Sequence, residues 1–149
     1  MAKVEEVMTK NISPVSPSTP ILEVAQKMRD SGMGTIPVCK NGKLRGLISE
    51  RSIVSRVVAS GQNPKRECAG ALMVNEGPKV SLGCDVVDAA KVMANHGIHC
   101  LPVVQNGGKF AGILMLSDLI KESMVLASMV LATSEIDSTQ RAIKEKVPA

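Results

Sequence analysis

The sequence predicts an α/β protein of the α+β type: two pseudo-symmetric β-α-β-β-α repeats packed sheet to sheet, followed by a C-terminal helical extension. Two observations carry this. The chain of 149 residues matches itself when displaced by roughly 65 positions, so that Val15, Ser16, Ala25, Met28, Gly32, Pro37, Val38, Asn41 and Gly42 recur as Val80, Ser81, Ala90, Met93, Gly97, Pro102, Val103, Asn106 and Gly107. Each copy also alternates helical and strand periodicity in the same order.

In the first copy, Thr19 is the expected N-cap and Pro20 the first helical residue. Ile21, Leu22, Ala25 and Met28 repeat at helical spacing, and Gly32 stops the helix. "TIPVC" and "LRGLIS" flank Asn41-Gly42, which reads as a hairpin turn. "ERSIVSRVVAS" then predicts a helix with Ile53, Val54, Val57 and Val58 on one face, ending at Gly61. In the second copy Asp85 and Asp88 open a helix that Gly97 closes, and negative charge there suits the helix dipole. The strands "CLPVV" and "FAGILML" surround Asn106-Gly107, and a last helix starts near Ser117 or Asp118. A unit of about 60 residues buries too little apolar surface alone, so two are expected to pack together and leave a cleft suited to a small ligand. The expected division is 1–61, a linker 62–67 containing Pro64, 68–122, and a helical tail 123–149.

Composition narrows the function. With one Phe and no Tyr or Trp, there is no platform for stacking sugars or unpaired bases. Eighteen basic residues against fourteen acidic ones are spread along the chain without a basic block, so nucleic acid is disfavoured as a partner. Cys39, Cys68, Cys84 and Cys100 have no C-x-x-C spacing and read as reduced thiols of a cytoplasmic protein. The start "MAKVEEVMTK" puts acids where a signal peptide has its apolar region, and "MVLASMVLA" is far short of the roughly 20 residues that span a bilayer. No membrane partner is expected.

The ordered pattern "VEEVMT", "ISPVSPSTPILEVAQKM", "GTIPV", "NGKLRGLISERSIV", then "ALMV", "VSLGCDVVDAAKVM", "GIHCLPVV", "FAGILMLSDLI" resembles a tandem cystathionine-β-synthase (CBS) domain pair over roughly residues 4 to 122. The resemblance implies a stand-alone regulatory module, and the tail is too short for a catalytic domain; the chain is expected not to be an enzyme. It also implies clefts between the repeats for AMP, ADP, ATP or S-adenosylmethionine. No cofactor is required.

In that family a strand motif of glycine, two apolar residues, Thr or Ser, two variable residues and Asp supplies the ribose contact. Here repeat one has Gly46 and Ser49 but Ser52 at the acid position; repeat two has Gly112 and Asp118 but Met115 at the hydroxyl position, with Ser117 beside the acid. An aspartate at a helix start can accept from both ribose hydroxyls, which makes Asp118 the candidate ribose ligand. By the resemblance its cleft adds Ile12, Ser13, Met33, Gly34 and Thr35. The weaker cleft, with Ser49 and Ser52, adds Pro78, Lys79, Ile98, His99 and Cys100. Some nucleotide-binding members have His-Arg where His99-Cys100 stands, so the arginine is missing.

His96, His99 and Cys100 could ligate a metal by residue type. Gly97 interrupts them and no fourth ligand is evident, so no metal site is expected. No nucleophile with a base and an orienting group is visible. The tail around Met124 to Leu131 is apolar on nearly every face, which suits packing on its own domain or a partner. The resemblance favours a homodimer. The expected function is sensing of an adenosyl ligand by change of conformation or assembly. The alternative is a nucleotide-independent interaction or oligomerisation module acting on a partner enzyme or transporter.

Overall fold

The computed structural model describes residues 2–75 and 77–133. In chain order its elements are α1 (Val4–Val7), α2 (Ile21–Ser31), β1 (Thr35–Lys40), β2 (Lys43–Ser49), α3 (Glu50–Ile53, continued by a π-helical turn over Val54–Val58), α4 (Ala69–Leu72), β3 (Val80–Ser81), α5 (Val86–His96), β4 (Cys100–Val104), β5 (Phe110–Met115) and α6 (Leu116–Glu122). Residues 124–133 are again helical. The chain divides into two compact units. Asn11–Gly77 with Val104–Phe110 form the first-repeat unit; the residues up to Lys10, Pro78–Val103 and the described residues from Ala111 onward form the second-repeat unit.

The units do not follow chain order, and backbone pairing shows why. In the second-repeat unit the segment around α1 clasps the start of α5: Val4 N–H donates to the Cys84 carbonyl at 2.9 Å and Val86 N–H to the Ala2 carbonyl at 3.0 Å. The first-repeat unit repeats this with the segment around α4, where Ala69 N–H reaches the Thr19 carbonyl at 2.9 Å and Ile21 N–H the Glu67 carbonyl at 2.8 Å. Each unit is thus completed by the segment that precedes the other repeat in sequence.

These bonds also explain the helix starts. The Thr19 hydroxyl does not cap α2; it accepts from Ser16 N–H at 3.0 Å, and no side chain caps that helix. The first helical N–H is satisfied from the clasping segment instead. Asp85 likewise makes no side-chain cap on α5, because its carboxylate accepts from the Lys3 ammonium at 2.8 Å. The expected stops are in place: Gly32 and Gly97 adopt left-handed φ of 72° and 63°, a conformation that a side chain would resist.

In the first-repeat unit β1 and β2 form an antiparallel hairpin about Asn41-Gly42, whose φ values of 55° and 77° suit a tight turn. Its first strand is reduced to one parallel bridge between Val15 and Val38. In the second-repeat unit the strand order is β3-β4-β5. The expected tight turn at Asn106-Gly107 is one residue longer: a 3₁₀ turn over Asn106–Gly108 closed by Gln105 N–H to the Lys109 carbonyl at 2.8 Å.

The two cores correspond residue by residue. α2 buries Ile21, Val24 and Met28 against Ile36, Val38 and Ile48, while α5 buries Val86, Ala89 and Met93 against Leu101, Val103 and Leu114. The face expected on α3 is only half right. Ile53 and Val57 are buried, but Val54 and Val58 are 59% and 69% exposed, because residues four apart share a face and their neighbours lie one step round it. α6 starts at Leu116, ahead of Ser117 and Asp118. Of the tail, Leu126, Ala127 and Val130 join the second-repeat core, whereas Met124, Val125 and Met129 are exposed. The rest of the expected tail, from 134, lies outside the described residues.

Candidate functional site

At the junction of β2 and α3, Ser49 is the N-cap: its hydroxyl oxygen accepts from Ser52 N–H at 3.2 Å, and the two serine hydroxyls are 2.9 Å apart. Glu50 N–H donates to the Gly34 carbonyl at 2.8 Å, so Met33-Gly34-Thr35 lies beside this junction. A Cβ on Gly34 would stand 2.9 Å from a Glu50 carboxylate oxygen, so a side chain there would require the Glu50 side chain to move aside. Thr35 is paired with Ser49 across the hairpin.

The junction of β5 and α6 in the second-repeat unit has the same backbone and different chemistry. Leu116 N–H donates to the His99 carbonyl at 2.9 Å, the counterpart of the Glu50–Gly34 bond. Met115 replaces the capping serine and has no hydroxyl to offer. Asp118 reverses the cap, its Oδ2 accepting from Met115 N–H at 2.9 Å. Both Asp118 oxygens also lie 3.1 Å from the Thr9 hydroxyl. At 8% exposure Asp118 is the buried charged residue among the described ones.

One hydroxyl donates one proton at a time, so Thr9 and Met115 fill two of about four acceptor positions on this carboxylate. Asp118 is therefore both held by the fold and able to accept further donors. Thr9 was not found by reading the sequence. Its counterpart is Val74, which bears no hydroxyl, so the repeat carried no signal for it.

The motif glycines acquire a different role. A Cβ on Gly46 would meet the Val74 carbonyl oxygen at 2.5 Å, and one on Gly112 would meet the Thr9 carbonyl oxygen at 2.7 Å. Glycine is needed in each repeat because the clasping segment pairs its backbone there, with Leu47 opposite Val74 and Ile113 opposite Thr9.

The remaining candidates fall as follows. Ile12 is buried and Ser13 accepts from the Lys27 ammonium at 3.0 Å, both in the first-repeat unit with Met33, Gly34 and Thr35. Pro78, Lys79, Ile98, His99 and Cys100 belong to the second-repeat unit with Asp118, Ser117 and Met115. Ser117, Lys79 and His99 are exposed. A groove of about 480 Å³ on the first-repeat unit runs along α2 and α3, and Met33 is the candidate residue that lines it, beside Glu50. Among the described residues no group of three or more His, Cys, Asp or Glu could hold a metal, and no helix is long and apolar enough to cross a membrane.

Two α+β units of matching design, each turning from strand to helix at the corresponding position, define a duplicated module. The CBS domain model matches residues 4–59 and 69–125, and the chain belongs to the CBS-domain family as a tandem pair. Among curated relatives, the CBS domain-containing protein YhcV of Bacillus subtilis is 35% identical over 127 residues, covering 83% of this chain and 87% of that protein. Two solved structures share the fold. Hypoxic Response Protein I with two coordinated zinc ions has a TM-score of 0.75 at 24% identity, covering 82% of this chain and 99% of that one. CBSX2 of Arabidopsis thaliana in complex with AMP has a TM-score of 0.72 at 23% identity, covering 82% and 96%.

Proposed function

We propose that this CBS pair senses an adenosyl ligand, AMP, ADP, ATP or S-adenosylmethionine, with Asp118 as the ribose contact, and is not an enzyme. The observation that carries the reading is Asp118 itself: a buried carboxylate fixed at two acceptor positions with others free, at the position where the family motif has its acid. The AMP complex of CBSX2 supports the ligand class by fold kinship. Ser117, beside the acid and exposed, is positioned for a second polar contact. Ser49 and Ser52 bond each other and provide no carboxylate, which supports ranking that site second.

Calorimetric titration of AMP, ADP, ATP and S-adenosylmethionine into the wild-type chain and Asp118→Ala tests it. Saturable binding abolished by the substitution, with helical content preserved by circular dichroism, is the expected result. No heat with any of the four at millimolar concentration would sink the sensor reading.

A second, compatible reading is self-association. Val54 and Val58 in α3 correspond to Ile120 and Met124 in and after α6, and all four are exposed, from 43% to 69%. Exposed apolar residues recurring at the same two positions of both repeats support a homodimer, through which occupancy would reach a regulated partner protein.

A further inference from the structure

The hairpin turn of the first-repeat unit carries a charge arrangement unrelated to Asp118. Lys40 and Lys43 are directly opposite each other across β1 and β2. Lys43 is in turn opposite Lys109 in an antiparallel bridge, with Phe110 N–H donating to the Gly42 carbonyl at 3.0 Å. Residues directly opposite in antiparallel strands share a face, so the three lysines form one lateral row of about 10 Å. All three are exposed. Arg45, also exposed, follows along β2 where the register with β1 shifts between Val38 and Cys39.

Like charges directly opposite one another destabilise a sheet. Neither turn offers relief, since "KNGKLRG" and "VQNGGKF" contain no acid. Among the described residues the ion pairs are Lys3–Asp85 and Arg29–Asp30, both elsewhere. Local rules of stability are broken at functional sites more often than at random ones. The row is therefore a patch of concentrated positive charge with no ion-pair partner among the described residues, to which a compact anion is complementary.

Its chemistry narrows the anion. Ammonium groups act as point charges for phosphate. The turns supply Asn, Gln and Gly, and Phe110, the aromatic residue of this segment, is half-buried and alternates to the other face of the strand from Lys109, so the row itself carries no ring on which a base could stack. A footprint this short covers few phosphates of a nucleic-acid duplex, whereas it matches several consecutive phosphates of a phosphoanhydride chain, whose charges lie close together.

We propose that Lys40, Lys43 and Lys109, with Arg45 beside them, bind a short phosphoanhydride chain, either free polyphosphate or the polyphosphate tail of a nucleotide.

The test is titration of the full chain with inorganic tripolyphosphate, with ATP and AMP as parallel arms, comparing wild type with the Lys43→Gln/Lys109→Gln double variant. Tripolyphosphate should bind saturably at low salt, weaken with added salt, and bind about tenfold less tightly to the double variant. ATP weakened alongside it identifies the nucleotide tail as a source; ATP unchanged identifies the free chain. AMP binding, which reports on Asp118, should not move, so this surface and the sensor reading fail separately. Without ligand, the double variant should melt at a higher temperature than wild type, the opposite sign from a structural role for these lysines. Absence of saturable tripolyphosphate binding, an unchanged affinity in the variant, or a lowered melting temperature would overturn the proposal. Tighter, lysine-dependent binding of duplex DNA would also overturn it, in favour of a nucleic-acid surface.

Discussion

Thr9 and Asp118 are 109 residues apart in sequence, and the Thr9 hydroxyl lies 3.1 Å from each carboxylate oxygen of Asp118. The acid at the motif position of repeat two is thereby tied to the segment that precedes repeat one. The same threonine pairs its backbone with Ile113, so a single residue holds both the strand and the carboxylate at its end.

Thr9→Val keeps the side-chain shape and removes the donor. A carboxylate left short of one partner should cost about 1–3 kcal/mol, read as a lower urea midpoint, while Thr9→Ser restores most of it. An unchanged midpoint in Thr9→Val would show that the contact contributes nothing net.

Gly46→Ala and Gly112→Ala each place a methyl group within 2.7 Å of a carbonyl oxygen of the clasping segment. Both should destabilise by about 1–3 kcal/mol, whether or not ligand is present. Gly83→Ala, where a Cβ meets nothing within 4 Å, is the control and should stay near wild type. Thermal melts of the three variants decide it.

Val58→Asp and Met124→Asp change exposed residues and should leave the monomer's helical content intact. If these faces associate, sedimentation velocity will show a dimer for the wild type and a shift toward monomer for either variant. A wild-type monomer at all concentrations ends the dimer reading.

Burial pushes the Cys39 thiol up, and burial followed by the Asp88 and Asp85 carboxylates does the same for Cys84. A group whose folded value is raised holds its proton longer in the native state than in the unfolded chain. Its contribution is therefore complete below the unfolded value of about 8.5 and is lost as pH rises beyond it. The urea midpoint should fall between pH 8 and pH 10, and less steeply in Cys39→Ala than in wild type. Equal slopes would show that Cys39 ionises alike in both states.

Much of this protein was legible in its sequence because the information was local. Helix spacing at Ile21 and Met28, the glycine stops at 32 and 97, and the Asn41-Gly42 turn depend on near neighbours in the chain, and duplication stated each of them twice. The Asp118 position could be read because the family motif marks it. Asp118's partner could not, since Thr9 has an apolar counterpart and lies far away along the chain.

The sequence by itself determined the order and type of the main elements of each repeat, helix, two strands and helix, and the position of the acid, because backbone preference and side-chain period act over a few residues; the short helices α1 and α4 were not among them. Tertiary structure alone decided which segment completes which unit. It alone showed that Thr19 and Asp85 do not cap their helices, that Gly46 and Gly112 serve backbone approach, and that Lys40, Lys43 and Lys109 stand in one row. Most of these depend on a hydrogen bond or a strand register between residues distant in sequence, as between Ile21 and Glu67, Lys3 and Asp85, or Lys43 and Lys109, and no local preference encodes that pairing.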